Sequence, residues 1–421
     1  MQHKIPISKL GPLGDEMASA VSTCVHCGFC LAACPTYDQL GQEPDSPRGR
    51  IVLMKDVLEG NLSVDDASLH IDRCLGCLAC EPACPSGVPY RDLISPYRAT
   101  MEPVRKRTLI DRITRVMTSS TLPYPRRFRL AAKMGRFARP LAPWLPRSIG
   151  AMLNLLPDRL PQRQSWLPIN PAIGTRRGRV ALLSGCAQSV LAPDINTATI
   201  DVLTRNGIEV LVPPNQACCG ALSWHVGNWN QAKQFAIANL KAFPEDVDAI
   251  ITNAAGCGSG MHEYGMILKG TKYESDATAF VSKVKDVSVV LAELGELAAI
   301  PQRSESLRIA YHDACHLANA QSVRSEPRHL LTQIPAVELL EIPESHLCCG
   351  SAGTYNVDQP EIAKSLGDDK VRHLLSTEPD LVATGNIGCM TQLQTHLAAA
   401  GSSVKVRHTV QILRDAYIGK L

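Results

Sequence analysis

The 421-residue sequence predicts an α+β multi-domain chain: a mainly helical N-terminal domain followed by a duplicated α/β cysteine-rich domain. Three observations carry that expectation. The 16 cysteines divide evenly, eight between Cys24 and Cys84 and eight between Cys186 and Cys389. Each group repeats internally at a nearly constant offset. Only the second group is embedded in alternating apolar strand and helix patterns.

Composition sets the outer bounds. With 45% hydrophobic and 20% charged residues the chain is not a disordered one. No apolar run approaches the roughly 18–20 residues that a membrane span needs. The N-terminal MQHKIPISKLGPLGDEMASA has no apolar h-region, so the sequence predicts a cytoplasmic protein rather than a secreted one. In a reducing compartment clustered thiols mean metal or redox chemistry more often than disulfides.

The first eight cysteines form two copies of one run. Cys24, Cys27, Cys30 and Cys34-Pro35 are matched by Cys74, Cys77, Cys80 and Cys84-Pro85, at an offset of 50 throughout. Between the copies, SPRGRIVLMKDVLEG predicts a helix, with Ser46 as N-cap, Pro47 at the first helical position and Gly60 at the exit. The C-x2-C-x2-C-x3-C-P run is the two-cluster ferredoxin-like pattern. Three cysteines two residues apart wrap one cubane, and the fourth, before proline, ligates the other cluster. The expected sets are therefore Cys24, Cys27, Cys30 and Cys84 for one [4Fe–4S] cluster, and Cys74, Cys77, Cys80 and Cys34 for the second. Structural zinc also takes C-x2-C, but it gives no reason for this spacing twice over. His26 and Phe29, inside the first run, are expected to pack around the cluster rather than to ligate it.

Residues 105–179 change character, with 17 Lys plus Arg against only Asp111 and Asp158, while the remainder of the chain carries a net −12. Nine prolines between Pro123 and Pro171 exclude one compact helical unit. This stretch reads as a basic, partly helical connector, with RRFRLAAKMGRFAR (126–139) as a short amphipathic helix. It is a candidate for docking on anionic headgroups or on an acidic partner face, the alternative being a solvated linker. Few aromatics are interleaved with the basic residues, so no nucleic-acid partner is expected.

After residue 179 a strand–helix rhythm runs twice. The first pass takes VALLSGC to Cys186, a helix, GIEVLVPP, Cys218-Cys219-Gly220, a helix near 229–242, and AIITNAAG ahead of Cys257. The second takes RIAYHDAC to Cys315, a helix, VELLEIP, Cys348-Cys349-Gly350, a helix near 360–375, and LVATGNIG ahead of Cys389. Strands ending in cysteine put these thiols at the carboxyl edge of a sheet, where ligand sites of open α/β folds collect. Four thiolates per repeat, Cys186, Cys218, Cys219, Cys257 and Cys315, Cys348, Cys349, Cys389, are candidate sites for a further iron–sulfur cluster or for zinc. A vicinal disulfide or inert buried thiols are the alternatives. His312, His316 and His346 are the available nitrogen donors. Gly256-Cys257-Gly258-Ser259-Gly260 fails the dinucleotide spacing because Met261 stands at the last glycine, so a hydride-handling cofactor is expected on another polypeptide.

The paired cluster runs, the CVHCGFC and CPTY wording, the SPRGR helix, GCAQ (185–188) and ESHLCCGSAGTYN (344–356) resemble the iron–sulfur subunits of glycolate oxidase (glycolate dehydrogenase). The wider group takes in the iron–sulfur subunit of anaerobic glycerol-3-phosphate dehydrogenase and heterodisulfide-reductase-like proteins. In its fullest form the CCG motif ends in C-x-x-C and supplies a fifth thiolate; here Gly260 and Gln392 stand in those places. The resemblance implies an electron-transfer subunit of an oxidoreductase complex. A partner chain carrying FAD oxidises glycolate to glyoxylate, and electrons pass through two [4Fe–4S] clusters here towards a membrane quinone. Peripheral contact with the inner face of the cytoplasmic membrane follows from that acceptor. The alternatives are the equivalent subunit of a glycerol-3-phosphate or D-lactate dehydrogenase and a zinc-stapled scaffold without electron traffic. The expected division is 1–104 for the two-cluster domain, 105–178 for the connector, and 179–303 and 304–421 for the two CCG domains.

Overall fold

The structure is a computed structural model that describes residues 1–421. The N-terminal region is helical because its apolar residues recur at helical spacing and its termini are capped. The helix Pro47–Glu59 is the clearest case. Ser46 Oγ accepts from Gly49 N at 3.0 Å, and Gly60 ends the helix in the left-handed conformation at φ 81°. Helices Gly14–Thr23 and Arg91–Met101 pack on each other and flank the two cysteine runs. Leu13, Met17, Met54, Leu93 and Ile94 are buried between them. Their core continues without a break into the first cysteine-rich repeat, where it takes in Trp224, Met261 and Tyr264.

The connector contains helices Leu109–Thr121, Pro125–Ala138 and Arg147–Asn154. Pro125 opens the second of these, which covers all but the last residue of the amphipathic segment expected at 126–139. The connector also supplies β1 (Ile169–Asn170), a short strand that nothing in its composition announced.

The repeats are two mostly parallel sheets. In the first, β1 pairs antiparallel with β3 (Ile208–Leu211), and β2 (Gly178–Leu182), β4 (Ala249–Thr252) and β5 (Val284–Asp286) complete the order β1-β3-β2-β4-β5. The second sheet is parallel throughout, in the order β7-β6-β8-β9, from β6 (Leu307–Tyr311), β7 (Val337–Glu341), β8 (Leu381–Thr384) and β9 (Lys405–His408). The registers correspond: Val180 lies between Val210 and Ala249, as Ile309 lies between Leu339 and Leu381. A shared core holding Leu182, Ile251, Ile309, Leu331 and Leu413 joins the sheets. The architecture is thus α+β and multi-domain, as the sequence predicts.

One local expectation is corrected. The cysteines near the strands do not end them. Cys257 lies in the helix Ala255–His262 and Cys389 in the helix Ile387–Ala399, while Cys315 opens the short helix Cys315–Ala318. The strands stop four or five residues earlier, at Thr252, Tyr311 and Thr384, yet the thiols still collect at the carboxyl ends of parallel strands.

The last helix, Thr409–Tyr417, has a histidine N-cap: His408 Nδ1 accepts from Val410 N at 3.2 Å. Burial pushes the His408 imidazole down to about 4. As pH falls through about 6.5 the unfolded chain takes a proton that the folded chain refuses until about 4, so stability declines across that window. Chemical denaturation at pH 7 and pH 4.5 is expected to show His408→Asn, which keeps an acceptor at the cap, losing about 2 kcal/mol less than the wild type.

Candidate metal centres

The duplication of the cysteine runs extends to their backbone. In Cys24–Cys30 the left-handed residues are His26 (φ 58°) and Gly28 (φ 87°); in Cys74–Cys80 they are Gly76 (φ 65°) and Leu78 (φ 59°). These positions correspond under the offset of 50, and each copy has glycine at one and a side chain at the other. A non-glycine residue held there costs about 1–2 kcal/mol. Both copies accept that cost, so the loop shape itself is what the fold preserves.

Each loop closes over a cavity. One is lined by Cys24, Cys27, Cys30 and Cys84, and the other by Cys34, Cys74, Cys77 and Cys80. Cys80 reaches both. Four thiols around one cavity match the ligand number of a cubane cluster, and the last cysteine of each run faces the other run's cavity.

The two surroundings differ. Beside the second cavity the fully buried Arg50 donates to Cys34 Sγ at 3.7 Å, to Thr36 Oγ1 at 2.9 Å and to the His70 carbonyl at 2.8 Å. Buried Asp45 balances it and also holds Arg73 at 2.8 Å and His70 Nδ1 at 3.0 Å. Burial works against the Cys74 thiolate, but Arg50 and Arg98 outweigh it and leave that thiol below its ordinary range. Burial pushes Cys77 and Cys80 well above theirs. Around the first cavity Cys27 is exposed, and Val25 and Phe29 stand out at 65% and 69% exposure. Phe29 therefore does not pack around the site as expected: its backbone position between Gly28 and Cys30 aims it outward, whereas His26 lines the cavity.

In the first repeat Cys186 Sγ lies 3.3 Å from Cys218 Sγ, and Cys219 has Cys218 and Cys257 as its neighbouring thiols. In the second, Cys315 Sγ lies 3.8 Å from Cys348 Sγ, and Cys349 lies close to Cys389 and His312. Gly220 and Gly350 follow the cysteine pairs in the left-handed conformation, each against the backbone of an alanine, Ala232 and Ala363. Of the three nitrogen donors considered, only His312 reaches the thiols. His316 Nε2 bonds the Gly76 carbonyl at 3.1 Å, and burial pushes its imidazole down to about 4. His346 is exposed beside Glu344.

Comparison with known proteins places these sites in a family. Residues 20–88 match a 4Fe-4S dicluster domain, and residues 180–262 and 309–394 match the CCG cysteine-rich domain. A probable glycolate oxidase iron-sulfur subunit of Bacillus subtilis is 39% identical over 414 residues, covering 93% of each chain. The glycolate oxidase iron-sulfur subunit of Escherichia coli is 39% identical over 406 residues, covering 95% of each. The chain belongs to the glycolate oxidase iron–sulfur subunit family. Lactate utilization protein A of Geobacillus kaustophilus is more distant, 27% identical over 236 residues that make up 56% of this chain and 98% of that one.

For a member of this iron–sulfur subunit family, the polar network between domains is the part that sequence reasoning missed. Buried Glu263 accepts from Trp224 Nε1 and pairs with His225 Nε2 at 3.1 Å, and the His225 ring packs edge-on to His316 at 5.3 Å between centroids. Arg98 donates to the Cys74 carbonyl at 2.7 Å and the His225 carbonyl at 3.1 Å, tying the second run to the first repeat. None of these residues belongs to a motif. Arg50 had a faint signal, as a charge on the apolar side of the SPRGR helix. Its buried cation beside Cys34 favours an added electron, so Arg50→Met is expected to lower the reduction potential of one cluster by on the order of 60 mV, leaving the other unchanged. An EPR-monitored redox titration measures it.

Proposed function

We propose that this chain is the electron-transferring subunit of a glycolate-oxidising complex, passing electrons from an FAD-bearing partner chain towards a membrane quinone. The observation that carries the reading is the pair of four-thiol cavities within a chain that matches glycolate oxidase iron-sulfur subunits over nearly its whole length. Cys24, Cys27, Cys30 and Cys84 would hold one [4Fe–4S] cluster, and Cys34, Cys74, Cys77 and Cys80 the other. Bound there, such clusters supply one-electron carriers that divide a two-electron oxidation into single steps. The protein's part is to hold the thiols, exclude water from the second site, and set the two sites apart electrostatically through Arg50. The CCG cysteines Cys186, Cys218, Cys219 and Cys257, and Cys315, Cys348, Cys349 and Cys389, form two further metal-binding sets. The exposed Val25–Phe29 lip at the first cavity is where the flavoprotein would dock.

Anaerobically purified protein is expected to be brown and to carry about eight irons from two cubanes. Alone it should not oxidise glycolate; with the flavoprotein it should restore quinone reduction. Cys27→Ser should lose one cluster. Stoichiometric zinc without visible absorption, or glycolate turnover by the flavin-free chain, would contradict the reading. Flavoprotein pairing that supports glycerol-3-phosphate or D-lactate oxidation instead would move the substrate to the alternatives.

The connector supports a bilayer as the acceptor side. No helix is long and apolar enough to cross a membrane. The helix Leu109–Thr121 is instead inside out: it buries Thr114 and Thr118 and turns Leu109, Ile110, Ile113, Val116 and Met117 to solvent. The contacting helix Pro125–Ala138 exposes Leu130, Met134 and Phe137 beside Arg126, Arg127 and Lys133, and Trp144 follows at 81% exposure. A contiguous apolar stripe rimmed by cations suits an anionic interface. Ile113→Glu with Val116→Glu should release the assembled complex from vesicles containing anionic lipid while leaving cluster absorbance unchanged. If the variant instead detaches the flavoprotein and still binds vesicles, the stripe is a subunit interface.

A further inference from the structure

The two cysteine-rich repeats offer different donors, and we propose that the second holds a single zinc ion on His312, Cys349 and Cys389, with a fourth ligand from the Cys315–Cys348 thiol pair. This deepens the assignment of metal binding to the CCG cysteines and rests on it. The ring nitrogen of His312 and the thiols of Cys349 and Cys389 lie within 4.8 Å of one another, all three residues buried, and no other such trio occurs in the chain. Zinc bonds of about 2.3 Å to sulfur and 2.0–2.1 Å to nitrogen set tetrahedral neighbours about 3.5–3.8 Å apart, so small side-chain shifts bring these donors onto one ion. Thiolates of a cubane each sit on their own iron and must stand wider. No three of the N-terminal thiols come within 4.8 Å of one another, whereas the donors of this trio do.

Further observations bear on what the second repeat holds. His312 is 1% exposed, and its Nδ1 has no hydrogen-bond partner, so the ring is free to turn a nitrogen to a metal. At the offset that relates Cys186 to Cys315, the first repeat has Leu183 instead, packed in the apolar core. The fifth-thiolate positions are closed in both repeats. A Cβ at Gly260 would meet Ala221 Cβ at 2.3 Å, and Gln392 accepts from Asn356 at 2.6 Å and donates to the Ala363 carbonyl at 3.0 Å. Finally, three thiolates and an imidazole leave zinc with a net charge of −1, and the second repeat supplies a buried cation. Lys370 donates to the Glu344 carbonyl at 2.6 Å within electrostatic reach of Cys348, Cys349 and Cys389. The alignment of Ala232 with Ala363 and Phe235 with Leu366, against the two glycines, puts neutral Asn239 at that place in the first repeat.

Zinc has no redox chemistry and a four-ligand site is closed, so the second repeat is a staple and not a stop for electrons. It would fix the loop that carries His316 against the Gly76 carbonyl, and so the second cysteine run.

Metal analysis and zinc-edge X-ray absorption on the full chain test this. The expected result is one zinc per chain in a shell of three sulfurs and one nitrogen, alongside the iron of the N-terminal clusters. His312→Leu should release zinc at a chelator concentration at least tenfold below that needed for the wild type. His312→Cys should retain it with four sulfurs. Both should keep the N-terminal EPR signals, which reports that the chain has folded. Iron in place of zinc at this site, zinc in an oxygen-rich shell, or release unchanged by His312→Leu would overturn the proposal. Absence of N-terminal iron with zinc retained would instead count against the electron-transfer reading.

Discussion

The constraint on which the rest of the N-terminal half depends is that each four-thiol cavity draws its last cysteine from the other run. Cys84 faces the cavity of Cys24, Cys27 and Cys30, and Cys34 that of Cys74, Cys77 and Cys80. Neither cavity can close until both runs are in place, side by side. The helices exist to meet that condition. Pro47–Glu59 carries Arg50 into the gap between the runs, and Gly14–Thr23 and Arg91–Met101 clamp the outer sides. A local spacing pattern thereby becomes a long-range folding requirement.

The same condition explains what was readable in advance. The cysteine spacing, the Ser46 cap with Pro47 and the doubled strand–helix rhythm all survive in the structure because each is a local rule with a local cause. Phe29 and the strand ends were misread for the complementary reason. Whether a side chain in a tight loop points in or out depends on φ values at neighbouring residues, and where a strand yields to a helix depends on where its partner strands stop pairing with it. The Trp224–His225–Glu263 network and the partnership of Arg50 with Asp45 join residues far apart in the chain. No periodicity marks them; only the packing of one domain on another brings them together.

Duplication supplied the two repeats with one frame and allowed their interiors to diverge. Registers, cysteine pairs and the glycines after them are kept, since each serves the backbone. Leu183 against His312 and Asn239 against Lys370 are changes of chemistry on an unchanged frame. Asn239 spends its amide on the Cys218 carbonyl and the Tyr264 hydroxyl, a neutral brace for the cysteine pair, whereas Lys370 brings charge. Homologous positions therefore do not imply equal occupants.

The joint between the two-cluster region and the repeats does not pass through the connector. It consists of the continuous core that includes Trp224 and Tyr264, and of bonds such as Asn319 to the Cys77 carbonyl, Tyr355 to the Arg73 carbonyl and Arg91 to the Ala320 carbonyl. The connector is anchored separately at each end, by Arg105 on Asp72 and by β1 in the first sheet. Covalent continuity across residues 122–165 is thus mechanically redundant. A chain nicked there would remain one particle, and the same molecule could be encoded as two polypeptides that assemble through the surfaces already present.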